Sequence, residues 1–230
     1  MGFETSKISI SRKIYVVYAE NINDMHILPT VIIEKPLTAG VLLGAAALSY
    51  HKITFTFCMV IFLGLLYFYR QPYPDKRKFR NSSSVYSPAY GTVTHIIKNP
   101  NKCETYITIF LSPFDIHHQY YPISGTLVER TYDRNGRFNL AYEFAKASTN
   151  EKCIHKIKTE AGHIVQVIQI AGFLVRRIVY DDKMIGDKVT SADRLGMIQF
   201  GSRVDIIVPT TNVVVTEGQS VSMYSKICDL

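Results

Sequence analysis

A glycine–serine peptide bond between two apolar runs is the feature of this sequence with the clearest capacity for chemistry. Gly201 and Ser202 lie within residues 196–209, GMIQFGSRVDIIVP. The β-branched flanks predict a turn or bulge between two strands, with the Ser202 hydroxyl next to the unhindered carbonyl of Gly201. Attack on that carbonyl would convert the peptide bond into an ester. Elimination would then cut the chain and leave a pyruvoyl group at residue 202. The dipeptide alone is equally typical of an ordinary turn.

Three other blocks come earlier in the chain, in a fixed order. They are residues 87–93 (SPAYGTV), residues 110–127 (FLSPFDIH, then YPISGTL) and residues 150–187, which include Asn-Glu, QIAGFLVRRI and Gly-Asp. Together with the Gly-Ser segment, these blocks resemble the pyruvoyl-dependent phosphatidylserine decarboxylases, especially their short, single-domain form. The resemblance covers about residues 60–215, and four ordered blocks are far more specific than any one of them.

The resemblance implies an enzyme that converts phosphatidylserine into phosphatidylethanolamine and CO2 after cutting itself between Gly201 and Ser202. Its cofactor would be the covalent pyruvoyl group made from Ser202, with no metal. The carbonyl of that group would condense with the substrate amine and accept the electron pair that CO2 leaves behind.

Three more residues take candidate roles from the resemblance. His117 is the candidate base in self-cleavage and proton donor after decarboxylation, since imidazole changes charge near neutral pH. Arg176 and Arg177 could hold the lipid phosphate through a guanidinium fork, although a solvated pair at a strand edge is the plainer interpretation. We expect Asp115 to cap the turn that begins at Ser112 rather than to take part in catalysis.

Tyr90 departs from the family pattern, which has an aspartate at this position that is implied to orient or activate the histidine. A phenol, with an ordinary pKa of ~10, is neutral and cannot stabilise an imidazolium as a carboxylate does, although it can still form a hydrogen bond. Tyr120 stands where longer bacterial members have a second histidine, which short members also lack.

The substitution at Tyr90 keeps an alternative open, in which the chain is an unprocessed, non-catalytic relative that binds membranes or lipids. A lipoyl- or biotinyl-like carrier is a third, weaker hypothesis, because no lysine sits in a suitable hairpin.

The composition fits a protein that works at an anionic surface. The 230 residues include 26 Lys and Arg against 19 Asp and Glu, which gives a net charge of +7. This charge favours an anionic membrane rather than nucleic acid, because the sequence has no basic recognition helix and no RNA-binding aromatic motif. The cysteines lack the spacing of a zinc site or a disulfide framework: Cys58, Cys103, Cys153 and Cys228.

The N-terminal third predicts membrane association. Residues 37–50 and 53–69 are apolar runs separated by His51 and Lys52. The second run is at the lower length limit of a span, so a hairpin, a single tilted span and a buried core helix all stay open. Five basic residues then place the following domain on the cytoplasmic side: Arg70, Lys76, Arg77, Lys78 and Arg80. The first residues also fit N-myristoylation of Gly2.

We divide the chain into an N-terminal region (1–36), a hydrophobic membrane-associated segment (37–69), a basic linker (70–84) and a decarboxylase-like domain (85–230). Short β-rich runs predict a mostly β sandwich or closed barrel with few helices, at residues 93–97, 105–111, 125–131, 164–171, 176–180, 196–200, 204–208 and 213–215. Residues 138–147 predict a short helix or another strand. We expect the cleaved chains to stay associated, and a homo-oligomer remains open.

Overall fold

The computed structural model describes residues 40–41, 44–45, 48, 52–79, 81–137, 139–140, 144–172, 178–199 and 202–230. The chain divides into two compact units, residues 1–66 and 67–230. Helix α1 (Lys52–Phe68) occupies most of the second apolar run. Within the described ranges, none of the helices reaches the length and apolarity that a membrane span requires. Most of residues 37–51 lie outside those ranges, so the hairpin stays a prediction.

The described part of the second unit is mostly β, as the sequence predicts. Two short 3-10 helices, Lys76–Phe79 and Pro100–Lys102, and helix α2 (Phe144–Ala147) accompany the strands. The strands are β1 (Ser84–Tyr86), β2 (Gly91–Asn99), β3 (Glu104–Leu111), β4 (His118–Tyr120), β5 (Gly125–Asp133), β6 (Lys152–Lys158), β7 (Ile164–Ala171), β8 (Ile178–Tyr180), β9 (Lys188–Val189), β10 (Arg194–Ile198), β11 (Ser202–Val208), β12 (Ser220–Val221) and β13 (Lys226–Asp229).

The described strands of this unit form three antiparallel sheets. The largest is a curled half-barrel with the order β12-β2-β3-β11-β7-β6-β5-β9, so it is not a closed barrel. A three-stranded sheet has the order β4-β10-β8, and β1 pairs with β13. The core takes apolar side chains from most of these strands, including Val204, Ile206 and Val208 of β11, which are completely buried. Strand β11 is therefore a central, rigid element.

Most of the predicted strands form, with two clear errors. The segment 213–215 is not a strand, and the run predicted at 196–200 forms earlier, as Arg194–Ile198. Strand β6 was not predicted, because its lysines hide a strict alternation in which Cys153, His155 and Ile157 point inwards. Residues 176–177 lie outside the described residues, and the segment 138–147 contains helix α2.

Gly91 shows why the SPAYGTV block needs a glycine. Strand β2 starts at this residue and crosses β3 so closely that a Cβ at position 91 would lie 2.2 Å from the carbonyl oxygen of Phe110. Any side chain there would push β2 away from β3. The glycine therefore keeps this block against the strand that leads into the FLSPFDIH block.

Candidate active site

Residue 202 is the first residue of β11, in the middle of the largest sheet. Its backbone pairs with Leu111 of β3 on one side and with Ala171 of β7 on the other. Gly201 and the side chain of Ser202 lie outside the described residues. The predicted scissile bond thus joins the connection after β10 to a strand whose start is fixed from both sides.

A buried ion pair anchors β11 immediately after residue 202. Arg203 is 1% exposed, and its Nε and Nη2 donate to the two carboxylate oxygens of Asp205 over 2.7 Å each. Its Nη1 also donates to the carbonyl of Phe144 over 2.9 Å, and its Nη2 donates to the Tyr106 hydroxyl over 3.0 Å. These bonds satisfy the buried charge, since a bidentate guanidinium–carboxylate pair is the geometry that compensates desolvation best.

The loop between β3 and β4 carries His117 and is closed by Asp115. The Ser112 amide donates to the Asp115 carboxylate over 2.8 Å, and the Asp115 amide donates back to the Ser112 carbonyl over 3.0 Å. This reciprocal pair is the expected turn cap. The loop consequently delivers His117 in a defined position.

His117 has a defined tautomer. Its Nδ1 lies 2.9 Å from the carbonyl oxygen of Asp115, and because a carbonyl only accepts, Nδ1 carries the proton. Nε2 therefore holds the free electron pair. That atom is buried and has no hydrogen-bond partner among the described residues. The ring packs on Phe68, with 4.2 Å between ring centroids.

Burial lowers the pKa of His117 to about 4. The expectation that this imidazole changes charge near neutral pH is therefore wrong for the folded chain. Desolvation penalises the charged form, and the bond to the Asp115 carbonyl offsets only part of that penalty. At neutral pH the residue is a neutral base with one unoccupied nitrogen.

Two backbone contacts link the loop that carries His117 to the segment that ends at residue 202. The Ile198 amide, at the end of β10, donates to the His117 carbonyl over 3.3 Å. Four residues later, Ser202 pairs with Leu111, at the end of β3. The segments 111–117 and 198–202 are thus tied together at both ends. The loop that carries His117 is thus linked to both described ends of the segment that contains the predicted scissile bond.

Tyr90 is not the group that orients His117. Its ring packs beside Tyr120, with 6.5 Å between ring centroids, in a cluster with Phe79 and Met223. Burial raises its pKa to about 12, so it is a neutral phenol. No hydrogen bond joins it to His117 in the described part of the chain, where the Asp115 carbonyl holds the imidazole.

The first two residues of the third sequence block, Asn150 and Glu151, bind the end of β7 that pairs with residue 202. The Asn150 side chain is completely buried and donates to the carbonyl of Ala171 over 2.9 Å. The Ala171 amide donates to the Glu151 carbonyl over 2.9 Å. Since Ala171 pairs with Ser202, the Asn-Glu dipeptide fixes the strand end beside the predicted scissile bond.

A chain of buried polar side chains, which the sequence analysis missed, leads to His117. Gln119 donates to the His117 carbonyl over 2.8 Å, and Gln169 donates to the Gln119 side-chain oxygen over 2.9 Å. His155 Nε2 lies 2.9 Å from the Gln169 side-chain oxygen. All of these side chains are completely buried. The inward phase of β6 and β7 could have revealed His155 and Gln169, whereas all three residues of β4 are buried and give no such signal for Gln119.

Arg130 sets the direction of that chain. Its Nε donates to His155 Nδ1 over 3.1 Å, so His155 accepts at Nδ1 and donates from Nε2. Every hydrogen bond then points from Arg130 towards His117. The guanidinium itself pairs with Asp181, whose carboxylate also accepts from the Tyr121 hydroxyl over 2.9 Å. The series of buried polar side chains thus ends at the Arg130 guanidinium, whose charge is compensated by Asp181.

Several predicted site residues lie outside the described residues: Gly2, Arg176, Arg177 and Gly201. Within the described ranges, no group of three or more metal-ligating side chains comes together. The prediction that the protein uses no metal stays a prediction.

Comparison with known proteins identifies consistent relatives. A family model described as phosphatidylserine decarboxylase matches residues 65–229. The chain is 35% identical over 191 residues to the phosphatidylserine decarboxylase proenzyme of Chlorobaculum tepidum, covering 80% of each chain. It is 37% identical over 174 residues to the protein of that name from Wolbachia pipientis wMel, covering 71% of this chain and 74% of the other. The Geobacter sulfurreducens protein of that name is 36% identical over 188 residues, with coverage of 76% and 83%.

Proposed function

The chain belongs to the phosphatidylserine decarboxylase family, and we propose that it removes CO2 from phosphatidylserine through a pyruvoyl group made from its own Ser202. The observation that carries this proposal is the free, buried Nε2 of His117, on a loop whose ends contact Ile198 and Ser202 through backbone pairing. The relatives' description as proenzymes supports a chain that is cut before it acts. It does not favour the non-catalytic alternative.

The residues present fit a pyruvoyl group at position 202. When formed, that group supplies an electron-poor carbonyl that binds the substrate amine and takes up the electrons released with CO2. His117 contributes a neutral imidazole with a free, buried Nε2 at neutral pH, which is the protonation state that a general base needs.

Self-cleavage needs groups of this chain and one water molecule. The Ser202 hydroxyl would give its proton to His117 Nε2 while its oxygen attacks the Gly201 carbonyl, and His117 would return that proton to the amide nitrogen as the Gly201–Ser202 amide bond breaks and the ester remains. Elimination would then transfer the Cα proton of residue 202 to a base, form the Cα–Cβ double bond, break the bond between Cβ and Oγ and release the carboxylate of Gly201. Addition of water and loss of ammonia would complete the new N-terminus. In the decarboxylation reaction, the same nitrogen could take up a proton from solvent and pass it to the substrate carbon that CO2 leaves.

The two chains would stay together after the cut. The smaller chain, residues 202–230, contains β11, β12 and β13, which pair with strands of the larger chain. Strand β11 lies between β3 and β7, and Arg203 is bound to Tyr106 and Phe144 of the larger chain. Separation would expose this buried ion pair and an open core, which opposes dissociation.

We also propose that the protein works on an anionic membrane with its decarboxylase domain on the cytoplasmic side. The apolar helix α1 and the basic residues after it support this location. The N-terminal hairpin, myristoylation of Gly2, phosphate binding by Arg176 and Arg177, and a homo-oligomer belong to this proposal as well, without structural support of their own.

Replacement of the serine tests the proposal directly. Ser202→Ala removes the attacking oxygen, so we expect an uncut chain and no CO2 release from phosphatidylserine labelled in its carboxyl group. Ser220→Ala is a matched control, because Ser220 is an exposed serine of the same small chain. Normal cleavage and CO2 release by the Ser202 variant would contradict the proposal.

A further inference from the structure

An exposed aromatic ring sits on the same loop as His117. The side chain of Phe114 is 74% exposed, although its backbone is firmly held. Arg70 Nη2 donates to the Phe114 carbonyl over 2.6 Å, and the Tyr67 hydroxyl donates to the same oxygen over 3.3 Å. The Asp115 cap closes the turn from the other side. The ring therefore projects into solvent from a loop whose backbone is held on both sides.

The neighbours of Phe114 have the chemistry of a membrane interface. Tyr67 is 50% exposed, and the Arg70 guanidinium lies 3.8 Å from the centroid of its ring. Aromatic residues with one polar end concentrate where lipid headgroups meet acyl chains, and arginine stacks on such rings while it stays near phosphate. Between residues 70 and 79, four basic residues stand against one acidic residue, which matches an anionic lipid surface.

This surface is joined directly to the candidate active site. Phe114 precedes His117 by three residues on one capped loop. On the other side, Phe68 packs on the His117 ring, while the adjacent Tyr67 binds the Phe114 carbonyl. The same two short segments thus form the exposed aromatic pair and hold the base.

We propose that Phe114 and Tyr67 insert into the interfacial region of an anionic phospholipid bilayer and set His117 at the level of the lipid headgroups. The inference rests on the proposed function, because a headgroup substrate gives the docking its purpose. Burial of the Phe114 ring in lipid removes apolar surface from water, and the basic residues add attraction to the anionic leaflet. A bilayer offers an apolar region to the aromatic rings and anionic headgroups to the basic residues.

Fluorescence quenching can test the insertion, because the natural sequence contains no tryptophan. Phe114→Trp in the full-length chain would place a single indole at the tip of the loop. We expect strong quenching by phosphatidylserine vesicles whose acyl chains carry bromine, and weaker quenching by brominated vesicles of neutral phosphatidylcholine. Ile164→Trp is the matched control, at a 49% exposed position. Ile164 begins β7, whereas Ala171 at the other end of that strand pairs with Ser202.

The outcomes separate the alternatives. Equal quenching of the two tryptophan variants, or no quenching of the Phe114→Trp variant, would overturn the proposal. Equal quenching by anionic and neutral vesicles would overturn the assignment of an anionic surface. A blue shift of the indole emission of the Phe114→Trp variant that appears without vesicles and grows with protein concentration would identify a second copy as the occupant, which would also overturn it.

Activity gives an independent measurement. Phe114→Ala is expected to cleave itself as the natural chain does, because the ring lies in solvent, and to raise the apparent KM for phosphatidylserine in vesicles by about tenfold. The KM for a short-chain phosphatidylserine dissolved as monomers should stay unchanged. Equal loss on both substrates would place the defect in the active site and contradict docking. If the natural chain decarboxylates neither substrate, the proposed function fails, and the quenching result still decides the docking.

Discussion

A single backbone carbonyl decides which nitrogen of His117 is free to accept a proton. The Asp115 carbonyl fixes the proton on Nδ1, and burial keeps the ring neutral, with its pKa lowered to about 4. A family-type aspartate would offer a charge for the same orienting task, whereas here Tyr90 packs against Tyr120 instead. The Asp115 carbonyl thus orients the imidazole, and we propose that an active chain tolerates tyrosine at position 90.

We predict that His117→Ala slows self-cleavage by at least about a hundredfold, which is typical of the loss of a general base. The cleaved fraction, followed over time on a denaturing gel after synthesis, measures this rate. His163→Ala, which changes an exposed histidine in the turn between β6 and β7, should cleave at the natural rate. Equal rates for the two variants would exclude His117 from the reaction.

We predict that Tyr90→Phe changes the rate of self-cleavage by less than about twofold. The substitution removes only a hydroxyl that makes no hydrogen bond to His117 in the described part of the chain, and it keeps the ring in its aromatic cluster. The same gel assay applies. A tenfold or greater loss would mean that the phenol supports the imidazole and that the Asp115 carbonyl is not sufficient.

At the scale of elements, strands with alternating polarity carry both the core and a buried polar chain. Buried positions of β4, β6 and β7 provide Gln119, His155 and Gln169, which connect Arg130 to the His117 carbonyl. A buried polar network of this kind stabilises only when every member is satisfied. One broken member should therefore affect the stability of the whole sheet.

We predict that Gln169→Leu lowers the free energy of unfolding by roughly 2–5 kcal/mol, because it leaves both His155 and Gln119 buried without their partner. Urea unfolding of the uncut Ser202→Ala background would measure the change without interference from processing. Gln166→Leu is the matched control on the same strand, at a half-buried position, and should change the stability by less than about 1 kcal/mol. Similar losses of unfolding free energy in both variants would show that the buried polar network contributes no more to stability than a half-buried glutamine outside it.

The sequence predicted the positions of the strands better than the functions of the residues in them. Strands 105–111, 164–171 and 204–208 were predicted because apolar, β-branched residues dominate them, and the structure confirms them closely. Strand β6 was missed because its outward lysines mask the alternation. The segment 213–215 was wrongly predicted as a strand: three valines favour β structure, but strand pairing depends on partners that are distant in sequence.

The candidate site could be predicted only in part, for a related reason. The Gly-Ser bond and His117 stand out as residue types in recognisable blocks. By contrast, the capture of His117 by the Asp115 carbonyl, the burial that lowers its pKa and the chain through Gln169 all arise from tertiary packing. No local pattern encodes which backbone carbonyl a buried imidazole will meet.

At the scale of the whole molecule, three buried histidines tie stability to pH. Burial lowers the pKa of His117 and of His155 to about 4 and that of His118 to about 3, from an unfolded value near 6.5. Between these values the unfolded chain binds protons that the folded chain excludes. Stability is thus fully present above about pH 6.5 and is lost as the pH falls towards 4.

We predict that the free energy of unfolding of the uncut Ser202→Ala chain falls by several kcal/mol between pH 7 and pH 4.5, since each pKa unit corresponds to ~1.4 kcal/mol. Urea titrations at several pH values measure the slope. His155→Gln removes one of the three groups. The slope of the unfolding free energy against pH should then fall by the amount that corresponds to about one proton taken up on unfolding. A stability that does not change between pH 7 and pH 5 would contradict the buried, neutral state of these histidines.

The central claim is that this chain cuts itself before Ser202 and keeps the product as its cofactor. An intact-mass spectrum of the purified full-length protein, taken with and without borohydride reduction, tests this claim most directly. We predict two chains, residues 1–201 and 202–230, with the smaller one starting in a carbonyl group that borohydride reduces. One uncut chain, or a small chain that starts with an ordinary serine amine, would contradict the account.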